Sequence, residues 1–575
     1  MRGSTRLDPA QRADAWRRLD GGRFDVLVVG GGVTGAGVAL DASTRGLSTA
    51  LVEQRDFASG TSSRSSKLFH GGLRYLEQLN LALVREALRE RDLMLTRIAP
   101  HLVKPVSFLF PLRHRVWERP YVGAGLVLYD TLGGSRALPR HRHLTRTGAR
   151  ALCPALRRDA LVGAVRYWDA QTDDARHTLA VVRTAAWYGA VVRNSTQVVG
   201  LLREGGRVVG ARLRDVDTEE ECRARASVVV NCAGVWTDDV QRLTGGRGRF
   251  NVRASKGIHL VVPRDRINSE TGLILRTEKS VLFVIAWGEH WVVGTTDTDW
   301  TLDRAHPAAS RSDIDYLLEH VNGLLAVPLT RADITGVYAG LRPLLAGESE
   351  ETSQLSREHA VARPAPGLVS VAGGKYTTYR VMAQDAVDAA AADVGRPVPP
   401  SVTADVPLLG AEGYAAMCNQ LPRLADDRRI PAWRLQHLLN RYGTLVDEVL
   451  APADDDPSLL DPLPGAETYL RAEIRYGAAH ESALHLDDLL TRRTRVSIEV
   501  PHRGVDSARA AADLVADVLG WDEARVRSEV ELYAARVAAE RASQENPDDR
   551  AADAARRAAA DARHVLPLGA PEVLL

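Results

Sequence analysis

The stretch from Phe24 to Glu53 constrains this chain more than any other. A short apolar run, Val26-Leu27-Val28-Val29, reads as a buried strand. Gly30-Gly31-Gly32-Val33-Thr34-Gly35 follows and fits G-x-G-x-x-G at Gly30, Gly32 and Gly35. The spacing predicts a helix from Val33 to about Thr44, closed at Gly46, and a second strand over Thr49-Ala50-Leu51-Val52 that ends in Glu53. Each glycine has its own duty. Gly30 permits the tight turn, Gly32 lets backbone N–H groups approach a pyrophosphate, and Gly35 lets helix and strand pack closely. The helix dipole meets the phosphates, and Glu53 stands where a carboxylate accepts from ribose hydroxyls. A G-x-G-x-x-G alone is a common turn. With the strand before it, the helix after it and the acid beyond, it reads as a dinucleotide site, without choosing between FAD and NAD(P).

A chain of 575 residues is too long for one core, so roughly two to four domains are expected. A net charge of +1 gives no reason to expect nucleic acid. Cys153, Cys222, Cys232 and Cys418 are scattered without metal-ligand or disulfide-framework spacing, so no metal is expected and a reducing, cytoplasmic setting fits best. No apolar run is long enough to span a bilayer, and the polar, Arg-rich first 22 residues lack the apolar core of a signal peptide. Among 74 basic residues only Lys67, Lys104, Lys256, Lys279 and Lys375 are lysines. A lysine that persists marks a place where a guanidinium would not serve.

Beyond Glu53 lies a run of small hydroxylated residues, Gly60-Thr61-Ser62-Ser63-Arg64-Ser65-Ser66-Lys67, able to offer donors to a pyrophosphate or flavin, or simply to form a solvated loop. Helices are expected from Leu81 to about Ile98 and from Asp173 to Gly189. The basic and aromatic stretch from Arg113 to Tyr129 reads either as a helix covering a domain edge, the reading preferred from its residues, or as a segment at a membrane interface. Strands are expected near Val191 and Val208, over Ala226 to Asn231, Ile258 to Val262, Gly272 to Leu275, and in a hairpin from Ser280 to Thr296. Such hairpins imply an antiparallel sheet apart from the parallel one. A last βα unit follows, with the strand Leu368 to Ala372, the turn Gly373-Gly374-Lys375 and a helix from Thr377. Pro397, Pro399 and Pro400 mark a linker, and 401–545 reads as a separate helical domain. The remainder, 546–575, reads as a surface helix or frayed tail. The fold class is therefore α/β, with a Rossmann-like nucleotide-binding domain (parts about 22–75, 180–255 and 340–395), an antiparallel-sheet substrate domain (about 76–180 and 255–340) and a C-terminal helical domain.

The motifs resemble those of the FAD-dependent glycerol-3-phosphate dehydrogenases, within the wider D-amino-acid-oxidase-like flavoprotein group. The resemblance rests on the Gly30 to Asp41 fingerprint, Ser65-Ser66-Lys67-Leu68, His70-Gly71-Gly72-Leu73-Arg74-Tyr75, Lys256-Gly257, His259, Gly340-Leu341-Arg342-Pro343, Ser356-Arg357 and Gly373-Gly374-Lys375-Tyr376-Thr377-Thr378-Tyr379-Arg380. It covers about residues 22–395. It implies FAD as cofactor and oxidation of sn-glycerol 3-phosphate to dihydroxyacetone phosphate. It further implies electron delivery to a membrane quinone, peripheral attachment to the inner face of the plasma membrane and, often, a homodimer. Oxygen as acceptor, or FAD binding without turnover, are the rival readings.

Such chemistry needs the substrate phosphate held, the C2 hydroxyl proton taken and the C2 hydride aimed at the flavin. Arg74 and Arg357 are the candidates for the phosphate, with Tyr75 as an added donor. His259, Arg342 and Lys375 are the candidates at the hydroxyl end, His259 being the natural base near neutral pH. Gly30, Gly32, Gly35, Glu53, Thr61, Ser62, Ser66, Lys67, Gly373, Gly374 and Thr377 are the expected cofactor contacts.

Overall fold

The structure is a computed structural model, and it describes residues 4–72, 80–114, 117–132, 137–245, 250–277, 281–346 and 358–567. Arg74, Tyr75 and Arg357 lie outside the described residues.

The expected first unit forms as read: strand Arg23–Val29, helix Val33–Thr44, strand Thr49–Val52. Strand Arg23–Val29 pairs in parallel with Thr49–Val52 on one side (Val26 opposite Thr49) and with Glu221–Asn231 on the other (Val26 opposite Val228). Val191–Arg193 and Leu368–Gly373 extend this parallel set at its two ends. His359–Ala365 and the meander Thr196–Glu204 and Arg207–Asp215 add antiparallel strands, for eight in all. Helices Val33–Thr44, Asp174–Trp187 and Tyr379–Ala391 share one core with this sheet, which includes Val26, Val28, Leu40, Val182 and Val387. The strands are apolar without alternation because both faces are covered.

A second sheet of ten strands stands beside the first. Towards one edge Val252–Pro263 pairs antiparallel with Gly336–Leu345 from Val252 to Val261 (His259 opposite Tyr338, Ser255 opposite Arg342). The hairpin of Val281–Trp287 and His290–Gly294 turns at Gly288 as expected. Gly272–Arg276 pairs antiparallel with Val281–Trp287 as expected and on its other side lies parallel to Val103–Leu112 through Gly272 opposite Phe108.

The chain from Arg113 to Tyr129 yields helix Glu118–Leu132. Val122, Leu126 and Tyr129 are buried in the core of the second sheet, so the helix does cover a domain edge. It also leaves Trp117, Tyr121 and Val127 about half exposed, at 54%, 50% and 53%. Arg119 turns inward and donates to the Leu144 carbonyl, which removes it from any outward basic face.

The C-terminal region packs two apolar clusters, around Leu435, Leu438 and Tyr442, and around Leu489, Ala511 and Val537. Its long helix Glu523–Glu545 leads into helix Asp549–Arg557. The expectation of a frayed tail is corrected here. Through Leu566 the described part is docked: Ala552 is buried, Lys256 pairs with Asp549, and the Arg563 fork holds Asp488 at 2.7 and 2.9 Å. Buried ion pairs seat the whole region on the first domain. Asp56 accepts from Arg492 (2.6 Å) and twice from Arg493 (2.7 Å each), Arg176 forks onto Glu481, and Arg495 reaches Asp173 and Asp174.

Candidate active site

The glycine turn does what its spacing requires. Gly30 has φ +110°, and a Cβ there would stand 2.7 Å from the Cys232 carbonyl oxygen. At Gly35 a Cβ would stand 1.9 Å from the Gly30 carbonyl oxygen, so no side chain is possible without moving the helix. Ser62 closes the helix from outside, its Oγ accepting from the Val33 N–H at 2.9 Å. The Glu53 carboxylate accepts from the Gly31 and Arg55 N–H groups at 2.7 and 2.8 Å. Burial pushes its pKa up, and those two backbone donors oppose the rise.

These residues open into a cleft of about 1150 Å³, counted to its open mouth. It lies at the carboxyl ends of the parallel strands, where strand order reverses about Arg23–Val29, the position at which such sheets bind nucleotides. Gly30, Gly32, Glu53, Thr61, Ser62, Gly373, Gly374 and Lys375 all line it. Thr61 also anchors the wall by donating to the Leu341 carbonyl at 2.6 Å. The cleft runs from the first βα unit to the last, its floor is glycine backbone, and a helix N-terminus faces it. This suits an extended dinucleotide whose pyrophosphate lies over the glycine turn.

Gly35, Ser66, Lys67 and Thr377 do not line it. Gly35 acts behind it, as the close helix–strand contact. Thr377 Oγ1 accepts from the His70 N–H at 3.2 Å and so ties the last βα turn to the motif loop. Lys67 is a correction to its reading as a cofactor contact. Its Nζ is fully buried and donates to Asp174 (2.9 Å) and the Ser63 carbonyl (3.3 Å), with the rings of Trp287 and Tyr338 about 5 Å away at 5.3 and 4.9 Å. A compact ammonium fits that enclosure and a guanidinium fork does not.

Ser66 is turned to the neighbouring sheet, where its Oγ meets His259 Nε2 at 2.9 Å. His259 is buried and stacked on Tyr338 with ring centroids 4.7 Å apart. Space for its ring depends on Gly294, where a Cβ would come within 2.3 Å of it. Its Nδ1 finds no hydrogen-bond partner among the described residues. Burial, then the positive charges of Arg342 and Lys67, hold its pKa well below 6.5, so the ring is neutral at pH 7. Arg342 stands on the paired strand, oriented by Ser255 Oγ (3.3 Å), Thr295 Oγ1 (3.2 Å) and the Thr296 carbonyl (3.2 Å), with Asp297 at 3.6 Å. Pro343, the next residue, lines the cleft opposite Lys375. Of the three candidates for the hydroxyl end, Lys375 lines the cleft, whereas His259 and Arg342 stand on paired strands of the second sheet and do not line it.

Sequence reasoning left out several lining residues, among them Gln54, Arg55, Thr196 and Val198. One side of the cleft is the small-residue turn after strand Glu221–Asn231, from Cys232 to Trp236. Thr196 and Val198 carry no local signal; the strand before them, Val191–Arg193, pairs with Thr49–Val52, and the Thr196 N–H then donates to the Glu53 carbonyl at 2.7 Å.

Fold and cleft together define a dinucleotide-binding protein of the Rossmann-like class. The family described as "FAD dependent oxidoreductase" matches residues 25–380, and the "C-terminal domain of alpha-glycerophosphate oxidase" matches 401–526. Glycerol-3-phosphate dehydrogenase 2 of Mycobacterium tuberculosis is 62% identical over 557 residues, covering 97% of this chain and 95% of its own. The human mitochondrial glycerol-3-phosphate dehydrogenase is 36% identical over 92% of this chain and 75% of its own. The FAD-complexed crystal structure of glycerol-3-phosphate dehydrogenase from Bacillus halodurans superposes with a TM-score of 0.75 at 28% identity, over 92% of this chain and 97% of that one. The chain belongs to the FAD-dependent glycerol-3-phosphate dehydrogenase family, and FAD is its cofactor.

Proposed function

We propose that this enzyme oxidises sn-glycerol 3-phosphate to dihydroxyacetone phosphate and delivers the electrons to a membrane quinone. FAD, when bound, supplies the two-electron oxidant that accepts the C2 hydride. The observation that carries the reading is His259: a neutral, buried imidazole fixed by Ser66 and Tyr338 beside the guanidinium of Arg342. A neutral imidazole can take the C2 hydroxyl proton, and Arg342 favours the alkoxide character that grows on that oxygen. Lys375, on the glycine turn that lines the cleft, is placed to stabilise negative charge on the cofactor side. Arg74, Tyr75 and Arg357 complete the proposal as the phosphate-holding group, through bidentate charge-assisted bonds that a dianion favours.

Among the described residues no helix is long and apolar enough to cross a membrane. Contact with a quinone pool therefore calls for a surface. The outward side of helix Glu118–Leu132, with Trp117, Tyr121 and Val127 exposed and Arg113 beside them, supports peripheral attachment there. The test is turnover of glycerol 3-phosphate by purified holoenzyme with a quinone analogue and with oxygen. Fast quinone reduction and slow oxygen consumption are expected. The opposite ratio would make the enzyme an oxidase.

A further inference from the structure

A second chamber, of about 1070 Å³ counted to its open mouth, lies on the other side of the motif loop. The loop divides the two: Thr61, Ser62 and Ser65 face the flavin cleft, and Ser63 and Arg64 face this chamber. Its far wall is the long helix Glu523–Glu545 and the segment that follows helix Asp549–Arg557.

The chamber gathers guanidinium groups that its carboxylates do not balance. Arg503 and Arg556 both engage one acid, Glu540. Asp487 is taken by Arg492 at 2.8 Å, and Asp561 by Arg55 and His306. Arg64 has only the Ala305 carbonyl, at 3.1 Å, and no carboxylate among the described residues. Arg536 is 8% exposed, lines the chamber and donates from Nη2 to the Ala560 carbonyl at 3.1 Å. Its Nη1 is buried without any hydrogen-bond partner among the described residues. Of these four guanidinium groups only Arg503 and Arg556 are ion-paired, both to Glu540, while Arg64 and Arg536 feel Asp487, already paired to Arg492, only at a distance. Uncompensated buried charge is costly, and so is an unpaired buried donor. Burial accordingly lowers the pKa of Arg64 to about 10 and that of Arg556 to about 9, with Arg536, Arg503 and Arg64 adding to the depression at Arg556.

We propose that this chamber binds a small phosphate-bearing anion on Arg64, Arg503, Arg536 and Arg556, at a site separate from the flavin cleft. A phosphate dianion supplies two charges and enough oxygen acceptors for several forks, whereas a monocarboxylate would leave most of the excess uncompensated. Arg64 belongs to the motif loop, and Arg536 and Arg556 belong to the C-terminal region. The anion therefore clamps that region to the loop that carries Ser62, Ser65 and Ser66. The inference does not depend on which substrate the cleft oxidises.

The test is calorimetric titration of the full-length FAD holoenzyme with inorganic phosphate, in parallel with inhibition of turnover by phosphate. Inhibition reads the catalytic cleft, and calorimetry reads every site. Arg536→Gln is expected to weaken one class of phosphate binding at least tenfold and to leave the inhibition constant and KM unchanged. Arg64→Gln, on the opposite wall, is expected to do the same and serves if Arg536→Gln fails to fold. Phenyl phosphate in the same titration separates the sources: tighter binding than inorganic phosphate marks a phosphomonoester site, and weaker binding a free-phosphate site. The proposal is overturned if the wild type binds phosphate only where inhibition reports it. Unchanged phosphate binding in both variants overturns it equally.

Discussion

Replacing Asp56 by Asn tests how the C-terminal region is held. Asp56 is fully buried and accepts four hydrogen bonds: Arg492 Nε (2.6 Å) and Arg493 Nη1 (2.7 Å) on Oδ2, Arg493 Nη2 (2.7 Å) and Asn194 Nδ2 (3.1 Å) on Oδ1. An Asn side chain keeps Oδ1 but turns an NH₂ donor toward the two guanidinium donors at Oδ2. Arg492 still has Asp487 and Asp488, whereas Arg493 is left with only the Glu481 carbonyl at 2.9 Å beyond Oδ1. Two charge-assisted bonds at about 1.5–3 kcal/mol each put the loss near 3–6 kcal/mol, in line with about 3–5 kcal/mol for breaking a buried pair. Chemical unfolding of Asp56→Asn should show this loss, with faster proteolysis in the linker around Pro397–Pro400. Asp487→Asn is the control: its side chain is about half exposed at 44% and pairs with Arg492, with Thr491 Oγ1 as a further donor at 3.1 Å, so a cost under about 1 kcal/mol is expected. Equal stability of the two variants, within about 1 kcal/mol, would refute the claim that buried arginine forks hold the region in place.

His259→Gln should lower kcat by about 10²–10⁴ with substrate KM little changed, as for loss of a positioned base. Because the wild-type ring is held neutral far below its ordinary pKa, wild-type kcat should stay level from pH 8 to 6; a fall centred near 6.5 would contradict the burial argument. Gly35→Ala forces a Cβ to within 1.9 Å of the Gly30 carbonyl oxygen, so the purified variant should carry little or no flavin by its absorbance. Stability should fall on acidification, because burial holds His101 and His177 neutral with pKa about 3 in the folded state, so the unfolded chain takes up protons first below 6.5. Between pH 7.5 and 5 each costs about 2 kcal/mol, and His306 and His480, held at about 4, and His259 add losses of the same sign. His485, raised to about 9, returns a little over 1 kcal/mol, so urea unfolding should show a net loss of at least about 3 kcal/mol. An unchanged or rising stability would show those histidines to be solvated. Trp117→Ser with Tyr121→Ser should reduce sedimentation with anionic liposomes while turnover with a soluble dye persists; undiminished sedimentation would move membrane contact to another surface.

The nucleotide-binding turn was legible in the sequence because its requirements are local. A tight turn, a close helix–strand contact and an acid after the second strand are written within Phe24–Glu53, and backbone sterics allow few other readings. The hairpin at Gly288 and the last βα turn were legible for the same reason. The lysines that persist also held information: Lys67 and Lys256 prove to be fully buried point charges, and Lys375 lines the cleft. What only the tertiary structure decided is which charges meet. Arg493 finds Asp56 across 437 positions and Arg563 finds Asp488, and nothing in a chain with 74 basic residues marks those arginines out from surface ones. The same is true of the segment after Asn546. Its alternating acids and arginines read as a solvated surface, yet Asp549, Arg556 and Arg563 each meet a partner far away in sequence. Ser66 and His259 are 193 positions apart and become neighbours only when two sheets close on each other. Local backbone geometry is encoded where it occurs, whereas a charge or a hydrogen-bond donor acquires its role from whatever long-range packing brings within about 3 Å of it.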